Sequence, residues 1–429
     1  MKEQNYLDHL VGVFGQPVAE NPGVVIQDAA FRALGLERWR YLTLDVDKDK
    51  LGDAIRGLKA LKMRGVNCTI PHKIAVMEYL DELSESARLI GAVNTIVNDN
   101  GRLYGDNTDF PGMLALAKHA GVDMKGKKVL ILGTGGASKT AHALAEFMGA
   151  KSVDYVSRSG KGGSITYEQA VQEHNDAQII INATPAGMFP KVEGRPMDIS
   201  SFPKLEGVLD AIYNPLRTNL ILDAQERGIP AEGGLYMLSA QAVYASAVFQ
   251  SIKLDESLIK RAFDSVKSAK QNIVLVGMPS SGKTTVGRIL AEKCGKELAD
   301  TDEYIVKKIG MSISDFFAKF GEPEFRRIEK ETIAELAATG GKVIATGGGA
   351  VLDPENVRAL KQNGTIVFLD RAPENLIATD DRPLASRRSA LEKLYAERYD
   401  IYTAAAEIRI DANTTPEAEA DAILKELGE

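Results

Sequence analysis

The stretch IVLVGMPSSGKTTVGRIL at residues 273–290 restricts the fold more than any other part of the chain. An apolar run of strand length leads into Gly277-Met278-Pro279-Ser280-Ser281-Gly282-Lys283-Thr284, which meets the pattern G-x-x-x-x-G-K-[ST] at every fixed position. A helix-length stretch follows. Backbone N–H groups along such a loop converge on phosphate oxygens, helped by the positive end of the following helix. Gly277, Pro279, Ser280, Ser281, Gly282 and Thr285 are therefore expected to wrap the phosphates of a nucleotide. Lys283 would reach the β- and γ-phosphates, and the Thr284 hydroxyl would ligate Mg²⁺. The competing reading, a tight turn that merely contains Lys-Thr, leaves the strand before it and the helix after it unexplained.

More than half of the chain precedes this loop. Throughout it, short β-branched runs alternate with amphipathic helical stretches, which predicts an α/β fold with parallel sheets and crossover helices. KKVLILGTGGASKTAHALAEFMGA (127–150) reads as strand, glycine turn and helix; SVDYVSRS (152–159) and AQIIINATPAGM (177–188) supply further strands. GGLYMLSAQAVYASAVFQSI (233–252) reads as a helix. The chain has 429 residues, and at about 150 residues per domain that implies roughly three lobes. The expected division is an N-terminal α/β lobe over 1–104, to which helices of 233–262 return, and a Rossmann-like lobe over 105–232. A linker over 263–271 and a P-loop domain over 272–429 complete it.

Composition narrows the partners. The net charge of −7 argues against nucleic acid or an acidic membrane surface. No run of about 18 apolar residues suggests a membrane span. The first residues, MKEQNYLDHLVGVFG, lack an apolar core and a cleavage site, so a cytoplasmic location is expected. Cys68 and Cys294 match no zinc spacing and cannot make a disulfide framework. Association of like chains is left open, and small molecules are the expected partners.

Three stretches after the loop carry further signals. In LADTDEYI (298–305), Asp300 and Asp302 are two residues apart at a strand end, which would put them on one face. FGEPEFRRIEKE (320–331) offers Arg326 just before a helix. VIATGGGAV (343–351) is a strand opening into glycines, where backbone can approach a ligand closely. Each alone is equally well read as a helix cap, a solvated cation or a turn. Together, in this order, they resemble shikimate kinase over 272–429. That resemblance implies that Asp300 helps hold Mg²⁺ and that Asp302 orients the attacking hydroxyl of shikimate. It further implies that Arg326 and Arg398 clamp the substrate carboxylate, a task suited to the guanidinium fork. Gly347, Gly348 and Gly349 would line the substrate, and Arg382, in DDRPLASRR (380–388), would fold over the phosphates of ATP.

In the first part, Gly133-Thr134-Gly135-Gly136-Ala137-Ser138 follows a strand and opens a helix, in the manner of a dinucleotide turn. Ser138 stands where that fingerprint has its third small residue. The next strand ends VSRSGKG, with no acid to accept ribose hydroxyls. Ser157 and Arg158 sit there instead, which favours NADP over NAD unless Arg158 is a solvated loop cation. GVNCTIPHK (65–73), GAVNTIV (91–97), GDNTDFPG (105–112), NATPAGM (182–188), DAIYNPLRT (210–218) and GGLYMLSAQA (233–242) resemble shikimate dehydrogenase, over nearly all of 1–260. By that resemblance Lys73 and Asp109 are the catalytic pair, although an exposed salt bridge is the plainer alternative. Hydride transfer to a ring carbonyl needs a proton at its oxygen, which gives such a pair a task. Asn67, Thr69, Asn94, Tyr213 and Gln241 would bind substrate, while Gly133, Gly135, Gly136, Ala137, Thr184 and Met188 would contact NADP(H).

One departure stands out. The resemblance places two serines near the N-terminus to bind the substrate carboxylate, but this chain has Asn21 and Gly23, and Gln27-Asp28 replaces His-Asn. Asn21 can still donate a hydrogen bond; Gly23 has no side chain. A lost bond to a charged group costs about 1.5–3 kcal/mol, or roughly ten- to a hundredfold in binding. The implied activity is reduction of 3-dehydroshikimate to shikimate followed by its phosphorylation to shikimate 3-phosphate, within aromatic amino acid and chorismate biosynthesis. The alternatives are a kinase with a non-catalytic or regulatory dehydrogenase-like part, or a dehydrogenase for a related acid such as quinate or aminoshikimate.

Overall fold

Three sheets take up the apolar runs in the computed structural model, which describes residues 9–18, 23–36, 38–376 and 388–428. The first contains β1 (His9–Gly15), β2 (Trp39–Asp45), β3 (Gly65–Cys68), β4 (Glu82–Leu83), β5 (Thr95–Asp99) and β6 (Arg102–Asp106), in the order β2-β1-β3-β5-β6-β4. It is mixed: β1 runs parallel to β2 and β3, whereas β5 is antiparallel to β3 and β6.

The second sheet is parallel throughout. β7 (Lys128–Leu132), β8 (Ser152–Val156), β9 (Ile179–Asn182), β10 (Gly207–Asp210) and β11 (Ala231–Glu232) lie in the order β11-β10-β9-β7-β8. The chain leaves β7 for β8 on one side and then crosses to β9 on the other. A crevice therefore opens beyond the carboxyl end of β7, where such sheets bind ligands.

The third sheet, also parallel, contains β12 (Asn272–Val276), β13 (Glu297–Asp300), β14 (Lys342–Ala345), β15 (Gly364–Asp370) and β16 (Ile408–Asp411), in the order β13-β14-β12-β15-β16. Every residue of β12 and of β9 is buried. Strands covered by helices on both faces have no solvent side, which is why IIIN and NIVLV read as unbroken apolar runs.

The chain divides into two compact units. The first takes in Met1–Met188, Gly194–Asn214 and Leu220–Lys267; the second takes in Phe189–Glu193, Pro215–Asn219 and Ser268–Glu429. In the first unit the helix Leu235–Gln250 packs on the helices Asp109–His119 and Gly23–Ala33. Phe249 of that helix joins Val11, Val13 and Tyr41 in one apolar cluster, so the helix returns to the first sheet. In the second unit Arg217 donates to the main-chain oxygen of Lys361 at 2.8 Å and pairs with Glu407.

Residues 263–270, expected to link the two parts, belong to the helix Ser257–Lys270. Ile259, Ala262, Phe263 and Val266 are buried at helical spacing, and that stripe gives the segment a face to pack. Among the described residues no helix is long and apolar enough to cross a membrane. Cys68 is buried, Cys294 is half-buried, and neither forms a disulfide.

Gly65 begins the strand that carries Asn67 and leads on to Lys73. A Cβ there would lie 2.7 Å from the Phe249 ring. Gly65→Ala is expected to destabilise the first unit by about 1–3 kcal/mol through overpacking. A urea titration followed through the first unit's unfolding, with an unchanged midpoint, would contradict this.

Candidate active sites

β7 is followed by Gly133, whose φ of +105° is open to glycine and strained for other residues. A side chain there would also meet the Thr184 methyl at 3.0 Å. The helix Gly136–Phe147 begins immediately after, capped by Gly135. Around Gly135 and Gly136 an added Cβ would meet nothing within 4 Å, so there is open space beside the start of the helix, whose first N–H groups have no partner within it. Ser138 is fully buried, its hydroxyl without a partner among the described residues, so it serves the helix as a small packing residue. The Thr184 hydroxyl donates to Asn182 Oδ1 at 2.7 Å, and Asn182 donates to Asp210 at 3.0 Å, fixing the ends of β9 and β10. Beyond β8, Ser157 Oγ accepts the Gly160 N–H at 3.1 Å, which shapes the loop that presents Arg158. Arg158 is exposed, Met188 is 41 % exposed, and the loop 157–163 holds no acid. Open N–H donors followed by a cation suit a dinucleotide carrying a 2′-phosphate.

Lys73 lies on the loop after β3, and Asp109 opens the helix Asp109–His119. Lys73 Nζ is 2.6 Å from Asp109 Oδ2, with the two side chains 31 % and 19 % exposed, so the pair is neither solvated nor sealed. Asp109 Oδ1 accepts from Asn94 Nδ2 at 2.9 Å. Asn94 Oδ1 in turn accepts the Thr108 main-chain N–H at 2.8 Å. A backbone N–H can only donate, which fixes the carboxamide with its amino face toward Asp109.

Asn67 stands one layer further in. It is buried, it donates to Thr95 Oγ1 at 2.9 Å and to the Asn94 carbonyl at 3.1 Å, and it accepts from the Tyr41 hydroxyl at 2.8 Å. Its amide therefore braces Asn94 and Thr95 from behind. Gln27, buried, accepts from the Ser246 hydroxyl at 2.9 Å and lies 3.4 Å from Asn67 Oδ1, so this departure from the family pattern is an interior strut. Gln241 donates to Leu238 O at 3.1 Å and has its Oε1 3.5 Å from the Thr108 hydroxyl. The Thr69 N–H donates to Phe14 O at 2.9 Å, fixing the loop, and burial pushes the half-buried Tyr213 phenol upward. Next to Lys73, His72 is fully buried with Nε2 2.8 Å from Val46 O, which anchors the loop. Gly23 begins the helix Gly23–Ala33; Asn21 and Arg382 lie outside the described residues.

In the second unit the P-loop forms one wall of a cavity of about 630 Å³. Pro279, Ser280, Gly282, Lys283, Thr284 and Thr285 line it, while Gly277 and the fully buried Ser281 sit behind that surface. Gly277 and Gly282 have φ of +150° and +95°, and Ser280 also has positive φ. Lys283 Nζ donates to the carbonyls of Gly277 at 2.9 Å and Met278 at 2.8 Å. The Thr284 hydroxyl donates to Asp300 Oδ2 at 2.6 Å, an oxygen pair suited to a hard divalent cation.

Asp300 and Asp302 do not share a strand face. β13 ends at Asp300, whose side chain caps the helix Thr301–Ile309 by accepting the Asp302 N–H at 3.0 Å. The cap turns the chain, so Asp302 lies in the helix's first turn, toward Gly347. Arg326 is likewise within a helix, Ile313–Ala337, not before one. Gly321, at φ 81°, breaks that helix, and Pro323 sits in the first turn of the new segment, where proline is tolerated.

Arg326 is held between Glu322 at 3.0 Å and Glu329 at 2.6 Å. Glu329 is 1 % exposed, and burial raises its carboxyl above the ordinary range against the pull of Arg326. Arg398 donates to Gly348 O at 3.0 Å, and so does the buried Tyr402 hydroxyl, whose pKa burial pushes up to about 12. Asp302, Arg326 and Arg398 thus share the cavity with the phosphate loop. Gly347, Gly348 and Gly349 do not have positive φ; they are needed for closeness. A Cβ would lie 2.8 Å from Asp302 on Gly347, 2.9 Å from Pro279 on Gly348, and inside the Arg326 guanidinium on Gly349. Glu322, Glu329 and Tyr402 escaped the sequence reading, although Arg326 and Glu329, three apart, are adjacent on one helix face.

The fold and site of the first unit define a dinucleotide-dependent oxidoreductase, and those of the second define a P-loop phosphotransferase. A family model described as shikimate kinase matches residues 279–428, and one described as shikimate dehydrogenase substrate binding domain matches 13–96. The NADP⁺-dependent shikimate dehydrogenase of Bacillus cereus strain G9842 is 38 % identical over 254 residues, which cover 56 % of this chain and 91 % of that protein. A chorismate mutase/shikimate 5-dehydrogenase fusion from Clostridium acetobutylicum has a TM-score of 0.57 at 31 % identity, covering 60 % of this chain and 97 % of that one. The 5-ketofructose reductase of Gluconobacter sp. strain CHM43 has a TM-score of 0.52 at 32 % identity, covering 61 % and 100 %. The chain belongs to the shikimate dehydrogenase family and carries a shikimate kinase domain behind it.

Glu329→Ala removes the buried partner of Arg326 and leaves the guanidinium to Glu322 alone. The KM of the phosphoryl acceptor is expected to rise about tenfold, the cost of misplacing a charged hydrogen bond, with the KM of ATP unchanged. Steady-state kinetics with each substrate varied in turn checks this; a rise confined to ATP would contradict it.

Proposed function

We propose that this chain performs two consecutive reactions: NADPH-dependent reduction of 3-dehydroshikimate to shikimate at Lys73 and Asp109, and transfer of the ATP γ-phosphoryl to shikimate in the P-loop cavity. The observation that carries the proposal is the composition of that cavity, where a carboxylate and two arginines for an acidic hydroxy compound face Lys283.

In the reduction, NADPH supplies the hydride when bound. Lys73 donates a proton to the oxygen that gains charge, and Asp109 at 2.6 Å holds the ammonium in line. Asn94 keeps the Asp109 carboxylate oriented through its fixed amino face. The buried layer of Asn67, Tyr41 and Gln27 limits how far these groups can move.

In the kinase reaction Lys283 exchanges two loop carbonyls for phosphate oxygens. Thr284 and Asp300 are the residues that would hold Mg²⁺, which neutralises charge on the phosphates. Asp302 accepts the hydroxyl proton as the new O–P bond forms. Arg326 and Arg398 fix the acceptor's carboxylate, so catalysis is mainly positioning and electrostatic.

A second reading, a dehydrogenase for a related hydroxy compound, is favoured by Gly23, which offers no side chain to a carboxylate. The 5-ketofructose reductase of Gluconobacter sp. strain CHM43, similar in fold, carries a name with a different substrate and supports this reading.

The test uses the full chain. NADPH formation from shikimate and NADP⁺, and shikimate-dependent ADP release, are measured on the parent, Lys73→Ala and Lys283→Ala. Lys73→Ala is expected to lower dehydrogenase turnover by about 10²–10⁴-fold and to leave the kinase intact; Lys283→Ala is expected to do the reverse. A folded parent chain that oxidises quinate but not shikimate would transfer the proposal to the second reading.

A further inference from the structure

Arg371 follows β15 directly and has no place in the P-loop motif or among the residues matched to a kinase role above. It lines the same cavity. Its Nη1 is 3.6 Å from where a Cβ would stand on Gly282, the residue that caps the helix behind the phosphate loop. The guanidinium therefore lies against the cradle itself.

Among the described residues, its neighbours leave its guanidinium unoccupied where hydrogen bonds are concerned. The preceding residue, Asp370, turns to Arg409 at 2.9 Å and Tyr395 at 3.2 Å, so it does not neutralise Arg371. Arg371 Nε is buried and has no hydrogen-bond partner among the described residues. Glu419, on the helix Pro416–Leu427, is 1 % exposed and feels the arginine electrostatically. Burial raises the Glu419 carboxyl, and the Arg371 charge opposes that rise. A guanidinium offers five N–H donors in a rigid fork, and a buried donor left unpaired is costly. Nη1 of Arg371, beside Gly282, is the donor that acceptor oxygens brought to the cradle would meet.

We propose that Arg371 is a phosphate-binding residue of the nucleotide site, donating to oxygens of the ATP di- or triphosphate held by the loop. This deepens the kinase reading and rests on it. It adds a cation that the P-loop pattern does not contain, delivered from the opposite side of β12 to that occupied by β14.

The test titrates ADP and adenosine into the full chain by calorimetry, for the parent, Arg371→Gln and Arg371→Lys. Arg371→Gln is expected to weaken ADP by about ten- to a hundredfold and to leave adenosine unaffected. Arg371→Lys keeps the charge without the fork and is expected to fall between. In turnover, the KM of ATP rises while the KM of shikimate and the dehydrogenase rate stay fixed, which a general loss of folding would not produce. Unchanged ADP affinity in Arg371→Gln overturns the proposal, and so does equal weakening of adenosine, which would place the arginine at the base. A parent chain that binds ADP in an Arg371-dependent way but does not phosphorylate shikimate would instead sink the kinase reading alone.

Discussion

Main-chain N–H groups meet phosphate charge where a helix begins and in the loop that leads into it, because further along every N–H is already bonded within the helix. Both ligand sites are built on that constraint. In each unit a buried parallel strand, β7 or β12, runs through a glycine turn into a helix whose axis carries about half a positive charge at its start. The rest of each architecture follows. A strand feeding a helix on its own sheet face must be joined in parallel, and parallel strands need helices on both faces. Gly133 and Gly277 make the turn at φ values that other residues reach only under strain.

The kinase cavity shows a second use of glycine. Gly347, Gly348 and Gly349 have ordinary backbone angles but leave room for Asp302, Pro279 and Arg326 to touch main chain. Closeness there also has an electrostatic meaning. Arg326 already satisfies two carboxylates, Glu322 and the buried Glu329. If Arg326 clamps a carboxylate as proposed, that group would share a guanidinium already fixed in place, and less side-chain freedom would be lost on binding. Lys73 is held by Asp109 on the same principle.

Much of this was legible in the sequence because it depends on local pattern. The P-loop, the glycine turn after β7 and the unbroken apolar strands each need particular residues at fixed spacing, and the sheets form where those patterns stand. The misreadings came where one residue reverses the chain's direction. Asp300 ends β13 and caps the next helix, so spacing that would place Asp302 on the same strand face instead places it in a helical turn. Gly321 breaks a helix that resumes at once, and Arg326 falls inside the resumed part. Glu329, Tyr402 and Gln27 were hidden for another reason: each is a polar residue whose role depends on burial by distant segments. Only the fold brings Ser246 to Gln27, or the Gly348 carbonyl to Tyr402.

The order of the two reactions is compelled by their chemistry. 3-Dehydroshikimate has a carbonyl where the kinase needs a hydroxyl, and a carbonyl oxygen has no proton to give up as an O–P bond forms. Reduction at that carbon creates the very hydroxyl that receives the phosphoryl group. A kinase site that recognised only the carboxylate would hold the ketone as well as the alcohol and be inhibited by it. In the role proposed for Asp302 a carboxylate would supply the distinction, since its oxygens accept a hydrogen bond from a hydroxyl and repel a carbonyl oxygen. Discrimination of this kind, against an analogue that lacks a hydrogen-bond donor, is among the strongest a buried polar site can achieve. With both units on one chain, the molecule that makes the hydroxyl acceptor also carries the site that uses it.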